Sequence, residues 1–143
     1  MKIQQLSIFV ENKPGHVAGL CRLLAQQGVN IRALTLADTE KFGILRLIVS
    51  DPAKATRALE AQGHVVKTTE VVAIEVPDQP GGLAGVLSAL EGSPTNIEYL
   101  YAVPFGHQGK AVLVFRFDDP DAAIGVLQAK GVAVLRGDVI LKG

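Results

Sequence analysis

Glu11-Asn12-Lys13-Pro14-Gly15-His16 decides the reading of this chain, because it returns as Pro77-Asp78-Gln79-Pro80-Gly81-Gly82. A shift of 66 residues lays Pro14-Gly15 on Pro80-Gly81, Gly19 on Gly85 and Asn30-Ile31 on Asn96-Ile97. Past the middle of each half the shift becomes 68, and Asp51-Pro52 falls on Asp119-Pro120, Leu59 on Leu127 and Gly63 on Gly131. The two extra residues fall between the segments starting at Thr35 and Tyr101 and those starting at Leu45 and Leu113. There a hairpin loop can lengthen without disturbing a core. A chain that matches itself in this way is two tandem copies of one unit. The expected division is 1–69 and 70–143, with almost no linker.

Each half reads strand, helix, strand, strand, helix, strand. Leu6–Val10 and Val72–Val76 are short strand-like runs. A Pro-Gly turn follows each. Val17, Leu20, Cys21 and Leu24 then recur at helical spacing, as do Leu83, Val86, Leu87 and Leu90. Asp51-Pro52 and Asp119-Pro120 open the second helix of each half: Asp caps the free amides, and Pro is tolerated where its missing N–H would be unpaired. The order βαββαβ predicts an α+β fold of two tandem ferredoxin-like units. Joined side by side, they predict one eight-stranded antiparallel sheet with four helices on one face. The opposite, apolar face is then the natural surface for a homodimer.

Composition narrows function. The 143 residues carry 14 Lys+Arg and 14 Asp+Glu, so the net charge is zero. That balance, with only 5% aromatic residues, argues against nucleic-acid binding by phosphate neutralisation or base stacking. Residues 1–70 carry about +3 and residues 71–143 about −3, which favours modest association of the halves. The single cysteine, Cys21, excludes an internal disulfide and a Cys-x-x-Cys metal site. No run approaches the roughly 18 apolar residues a membrane span needs, and the first residues do not read as a secretory leader. The expected location is cytoplasmic.

Two segments in each half can carry chemistry. The Pro-Gly turn lets a ligand approach the backbone, and the helix that follows offers unpaired amides to a carboxylate. Asn12 can donate and accept, whereas Asp78 only accepts and suits an ammonium. Equally, Asn/Asp-x-Pro-Gly is a plain turn leading into a helix. The second segment is Gly28-Val29-Asn30-Ile31 and its copy Thr95-Asn96-Ile97. An Asn there either bonds its own backbone or reads a ligand.

These motifs, twice in register, resemble the ACT domain, a ferredoxin-like unit that binds small molecules, mostly amino acids. The resemblance covers essentially the whole chain and is similar to the stand-alone double-ACT regulatory proteins of bacteria. It implies an amino acid held between two units by the turn after the first strand and the Asn opening the second. Carried over, these are Asn12, Gly15 and Asn30 in the first half and Asp78, Gly81 and Asn96 in the second. His16, Val17, Ile31, Gly82, Leu83 and Ile97 flank them and complete the candidate set. The second half departs with Asp for Asn and with Ser93-Pro94-Thr95 before Asn96, so the two sites need not be equivalent.

The remaining residues are less informative. His16 stands at a helix start, either touching a ligand or in solvent. His64 and His107 occupy non-equivalent positions with no chelating spacing, so no metal is expected. Cys21 aligns with Leu87 and reads as a small core residue. Tyr99 and Tyr101 share one face of a strand, where they either stack on a ligand or a partner or, the simpler reading, cover the sheet. Arg46 and Arg116 mark a less buried face, or pair a carboxylate across an interface. No catalytic constellation stands out and no cofactor is expected. The expected function is a non-catalytic amino-acid sensor, a homodimer with a possible partner enzyme. The alternative is an obligate regulatory subunit like the small subunit of acetolactate synthase. That subunit's C-terminal half is not a second ACT copy, and the repeat argues against the alternative.

Overall fold

The computed structural model describes residues 1–38 and 42–141. The elements are β1 (Lys2–Glu11), α1 (His16–Gln26), β2 (Ile31–Asp38), β3 (Phe42–Val49), α2 (Pro52–Ala61), β4 (Val66–Pro77), α3 (Gly82–Ala89), β5 (Ile97–His107), β6 (Lys110–Phe117), α4 (Pro120–Ala129), β7 (Val134–Leu135) and α5 (Gly137–Leu141). The chain divides into two compact units: a first built on Gln4–Thr69, and a second built on Glu70–Ile140 together with Met1–Ile3.

Each unit is a ferredoxin-like α+β arrangement. In the first, the strand order is β2-β3-β1, with β4 on the other side of β1; in the second it is β7-β4-β6-β5. Alternation decides what each strand buries. Leu6, Ile8 and Val10 of β1 and Leu45, Leu47 and Val49 of β3 turn one face to Leu20 and Leu24 of α1 and Ala55 and Leu59 of α2. Val72, Ile74 and Val76 do the same in the second unit, with Phe115 and Phe117 against Val86, Leu90, Ala123 and Leu127. The Asp-Pro starts behave as caps: the Asp51 carboxylate accepts from the Lys54 amide and the Asp119 carboxylate from the Ala122 amide, both at 3.1 Å.

Three expectations are corrected. Seven strands are described rather than eight, because the last strand of the first copy and the first of the second are a single unbroken strand, β4. The described residues form five helices rather than four, since the chain turns into the short α5 after a two-residue β7. The two extra residues of the second half are in the strand, not in a longer hairpin loop. Leu36, Ala37 and Asp38 pair in sequence with Leu45, Ile44 and Gly43, whereas the register of β5 slips between Ala102↔Leu113 and Gly106↔Ala111. An insertion inside a strand must bulge out of the ladder, because the flanking pairs stay in register.

The face away from the helices is less open than expected. Gln5, Ala33 and Ile48 are buried there in the first unit, and Val71, Ala73 and Val114 in the second. Among the described residues of the first unit, its exposed large apolar side chains are Phe9 and Phe42 at one end, 64% and 51% accessible. Tyr101 is buried, as sheet cover should be. Cys21 is only half-buried; Leu23 and Val17 pack beside Leu20 and Leu24 instead. Arg116 pairs within its own unit: Nε donates to Glu98 Oε1 at 3.0 Å and Nη1 to the Glu70 carbonyl at 2.8 Å. The first residues of the chain also fasten to the second unit. Lys2 Nζ lies 3.3 Å from Asp121 and 3.4 Å from Glu70, and the hydrogen bond to Asp121 leads in raising its ammonium pKa.

Candidate functional site

The two turns share one backbone plan. Gly15 and Gly81 both sit at φ 84°, where a Cβ would be strained, and each opens a helix without a side-chain cap. The first amide of each helix bonds back into its turn, His16 to the Lys13 carbonyl at 3.5 Å and Gly82 to the Gln79 carbonyl at 3.0 Å, and the next amides, of Val17 and Ala18 and of Leu83 and Ala84, are the ones left for a carboxylate. Asn12 and Asp78 are exposed beside them.

The surroundings of the turns differ. In the first unit the Glu11 amide donates to His16 Nδ1 at 2.8 Å, which places the remaining ring proton of a neutral imidazole on Nε2. The fold carries His64, at the end of α2, to the same place: the two rings lie 5.9 Å apart. Sequence spacing gave no hint of this pairing, because it depends on α2 running back to the turn. Among the described residues, no group of three or more His, Cys, Asp or Glu could hold a metal ion. Lys13 Nζ stands 3.0 Å from Glu11 Oε2 and holds that carboxyl below its usual range, chiefly through the hydrogen bond. A cavity of ≈ 80 Å³ is touched by Asn12, Val17, Leu36 and Gly43.

In the second unit Gly82 replaces His16 and Val132 replaces His64. A Cβ on Gly82 would overlap the Pro77 carbonyl oxygen, so the glycine is required where the helix start meets the strand end. A cavity of ≈ 270 Å³ lies here, lined by Pro77, Gly81, Gly82, Gly85, Val86 and Val132. On the other side of the turn, the β5 bulge and the β5–β6 hairpin form a cleft of ≈ 420 Å³ with Asp78. Val103, Pro104, Phe105 and Lys110 complete it. The Asp78 amide donates to the Gly109 carbonyl at 2.8 Å, tying turn to hairpin. The sequence reading missed these bulge residues, although the change of shift from 66 to 68 marked them.

Asn30 and Asn96 are placed alike but far from the turns of their own units. The Asn30 amide donates to Ser50 Oγ and the Asn96 amide to Asp118 Oδ1, each at 2.9 Å. Before Asn96, Ser93 and Thr95 close a local turn, their hydroxyls 2.9 Å apart. Register gives the separation. Glu11 pairs Phe42 and Ile31 pairs Val49, so the two motifs of the first unit lie seven residues apart along β3, or about 23 Å. Pro77↔Lys110 and Ile97↔Phe117 repeat this in the second unit. Gly15, His16 and Val17 thus gather with Asn12 at one end, and Ile31 with Asn30 at the other. Gly81, Gly82 and Leu83 likewise gather with Asp78, and Ile97 with Asn96.

Comparison with known proteins agrees with this architecture. The chain is 41% identical to protein BT0572 from Bacteroides thetaiotaomicron, with a TM-score of 0.93 over 100% of this chain and 98% of that one. The regulatory subunit of aspartate kinase from Thermus thermophilus shares the fold, with a TM-score of 0.63 at 16% identity over 88% of this chain and 90% of that one. The acetolactate synthase small subunit of Mycobacterium bovis is 26% identical, over 95% of this chain and 94% of that protein. The profile of the ACT domain pair matches residues 1–140. Two βαββαβ units in one chain, each with its Pro-Gly turn and paired Asn, and a profile match across nearly every residue, place this chain in the ACT domain pair family.

Proposed function

We propose that this protein is a non-catalytic, cytoplasmic regulatory protein that binds a free amino acid where ACT units of two copies meet. One observation carries the reading: in each unit the outward amides of the turn and the Asn lie at opposite ends of the sheet, about 23 Å apart. A ligand held by both needs two units. Among the described residues, β2 has a hydrogen-bonded neighbour only in β3, and β5 only in β6. Such edges offer unpaired backbone groups to a second copy. Antiparallel pairing of two β2 strands about Thr35 carries Asn30 of each copy to the turn end of the other. It also sets Leu34 against Leu36, both half-exposed. The amino acid then favours one arrangement of the paired units, and that difference in affinity is the signal to a partner enzyme.

The test is a thermal-shift screen against the twenty amino acids. Ligand at about 100 times its Kd adds about 2.7 kcal/mol, several degrees for a protein of this size. The expected outcome is a hit lost in Asn30→Ala or Asn96→Ala. A flat screen of folded protein removes the reading. A second reading, a subunit permanently bound to a biosynthetic enzyme, has in its favour the similarity to an acetolactate synthase small subunit over almost the whole chain. Co-purification of a thiamine-dependent large subunit supports it; its absence from a pull-down removes it.

A further inference from the structure

We propose that the helix layer of the first unit, α1 and α2, docks on the helix layer of the second unit, α3 and α4, of another copy of this chain. The contact is separate from the β2 edge and does not depend on the amino-acid reading. The repeat lets the two layers be compared position by position. Arg22, Lys54 and Arg57 are exposed on α1 and α2, and their side chains have no hydrogen bond or ion pair among the described residues. Their counterparts are Ser88, Ala122 and Gly125. Glu91, just past α3, and Asp121, on α4, are exposed at the end of the layer where α3 stops and α4 starts. Their counterparts are Ala25 and Ala53. At the opposite end the signs reverse: Glu60 lies near the end of α2 and Lys130 at the end of α4, with Gln128 and Gln62 as counterparts. Each of these charges on one layer corresponds to an uncharged residue on the other.

Stacked with like ends together, the two layers set opposite charges against each other at both ends. Such complementarity steers two surfaces together and fixes their register. In that alignment two copies of the same layer would set like charges together, so the occupant of the first unit's layer is the second unit's. Shape agrees. A groove of ≈ 370 Å³ between α1 and α2 has Leu23, Ala58 and Ala61 beside Lys54 and Arg57. α3 carries no charge at any of its eight positions and exposes Leu83, Ala84, Gly85 and Ser88. A helix without a charged face belongs in a covered place, and an apolar-floored groove supplies one. Ala122 and Gly125 leave room for the stems of Lys54 and Arg57 to lie flat while their heads reach Glu91 and Asp121. Asp121 is held by Lys2 at 3.3 Å but stays exposed, so its second oxygen can take another cation. The surfaces in contact differ, so the interface is heterologous.

Light scattering of the full chain after size exclusion, in about 50 mM and about 500 mM salt, tests this, because salt screens exposed charges. The expected mass of the native protein at low salt is about twice that at high salt, or more. Lys54→Glu with Arg57→Glu makes both layers acidic, and Glu91→Lys with Asp121→Lys makes both basic. Each double variant alone should keep the high-salt mass at low salt. An equimolar mixture of the two should regain the native mass, which a merely damaged surface would not do. Tm reports that each variant folds; should Asp121→Lys fail to fold for want of its Lys2 contact, Glu91→Lys alone takes its place in the mixture. A native mass that does not change with salt overturns the proposal. So does a mixture that stays at the mass of its separate components.

Discussion

The Asn30 amide donates to Ser50 Oγ at 2.9 Å and the Ser50 amide returns a bond to the Asn30 carbonyl at 2.9 Å. This reciprocal pair fixes the start of β2 to the end of β3. The second unit repeats it with Asn96 and Asp118, whose amide reaches the Asn96 carbonyl at 3.1 Å. Asp118 Oδ1 also accepts from the Asp119 amide at 2.9 Å. The candidate Asn is thus held by its backbone, and its side chain is not what anchors it.

Ser50→Ala deletes one acceptor at an exposed site and should cost about 0.5–1 kcal/mol. Asp118→Ala deletes an ionised acceptor of two amides and should cost about 1.5–3 kcal/mol, with Asp118→Asn recovering part. Urea unfolding measures both. Equal losses from the two alanine variants would contradict the difference in bonding.

Gly82 and Gly85 lie one turn apart on α3 and should respond oppositely to alanine. At Gly82 the added Cβ meets the Pro77 carbonyl, and the backbone must shift; a loss of about 1–3 kcal/mol is expected. At Gly85 nothing lies within 4 Å of that position, and Gly85→Ala should stabilise by up to about 1 kcal/mol. Thermal unfolding of the two variants decides, and a stable Gly82→Ala would show that the strand end can move.

Lys13 holds the Glu11 carboxyl below its usual range. A depressed folded value means that the pair adds stability above the unfolded carboxylate pKa of about 4.3, and that this is lost as pH falls through the folded value. In Lys13→Met the Glu11 titration, followed by side-chain NMR, should move up towards the ordinary value. An unmoved midpoint would mean that the 3.0 Å contact is not kept in solution.

His16→Ala removes the acceptor of the Glu11 amide and should cost about 0.5–1.5 kcal/mol. Its more specific signature is local. Hydrogen exchange at Glu11 should quicken by about tenfold, as expected for a lost bond of about 1.4 kcal/mol. Exchange at Asp78, whose amide bonds Gly109, should not change. Unaltered protection at Glu11 would place its partner elsewhere.

Arg116 bridges the Glu98 carboxylate and the Glu70 carbonyl with separate nitrogens of one planar group. Lysine offers a single nitrogen and cannot span both, so Arg116→Lys should lose about 1–2 kcal/mol despite keeping the charge. A Tm equal to that of the native protein would leave the bridge without weight.

The doubled unit, its order of elements, its helix caps and its core faces are legible in the residues alone. These follow from local rules: periodicity chooses helix or strand, Asp-Pro and Pro-Gly mark boundaries, and a repeat declares itself by register. Asn12, Asp78, Asn30 and Asn96 are legible there too, because turn residues that recur are visible without coordinates. The rest depends on how the strands and helices meet. That Asn30 stands about 23 Å from Asn12 depends on the antiparallel ladder between them. The meeting of His16 with His64 depends on where α2 delivers the chain, 48 residues later. The two inserted residues were countable in the sequence, but whether they lengthened a loop or bulged a strand was not. That choice rests on hydrogen-bond pairs on either side of the insertion, Ala102 with Leu113 and Gly106 with Ala111, which exist only once the strands have met.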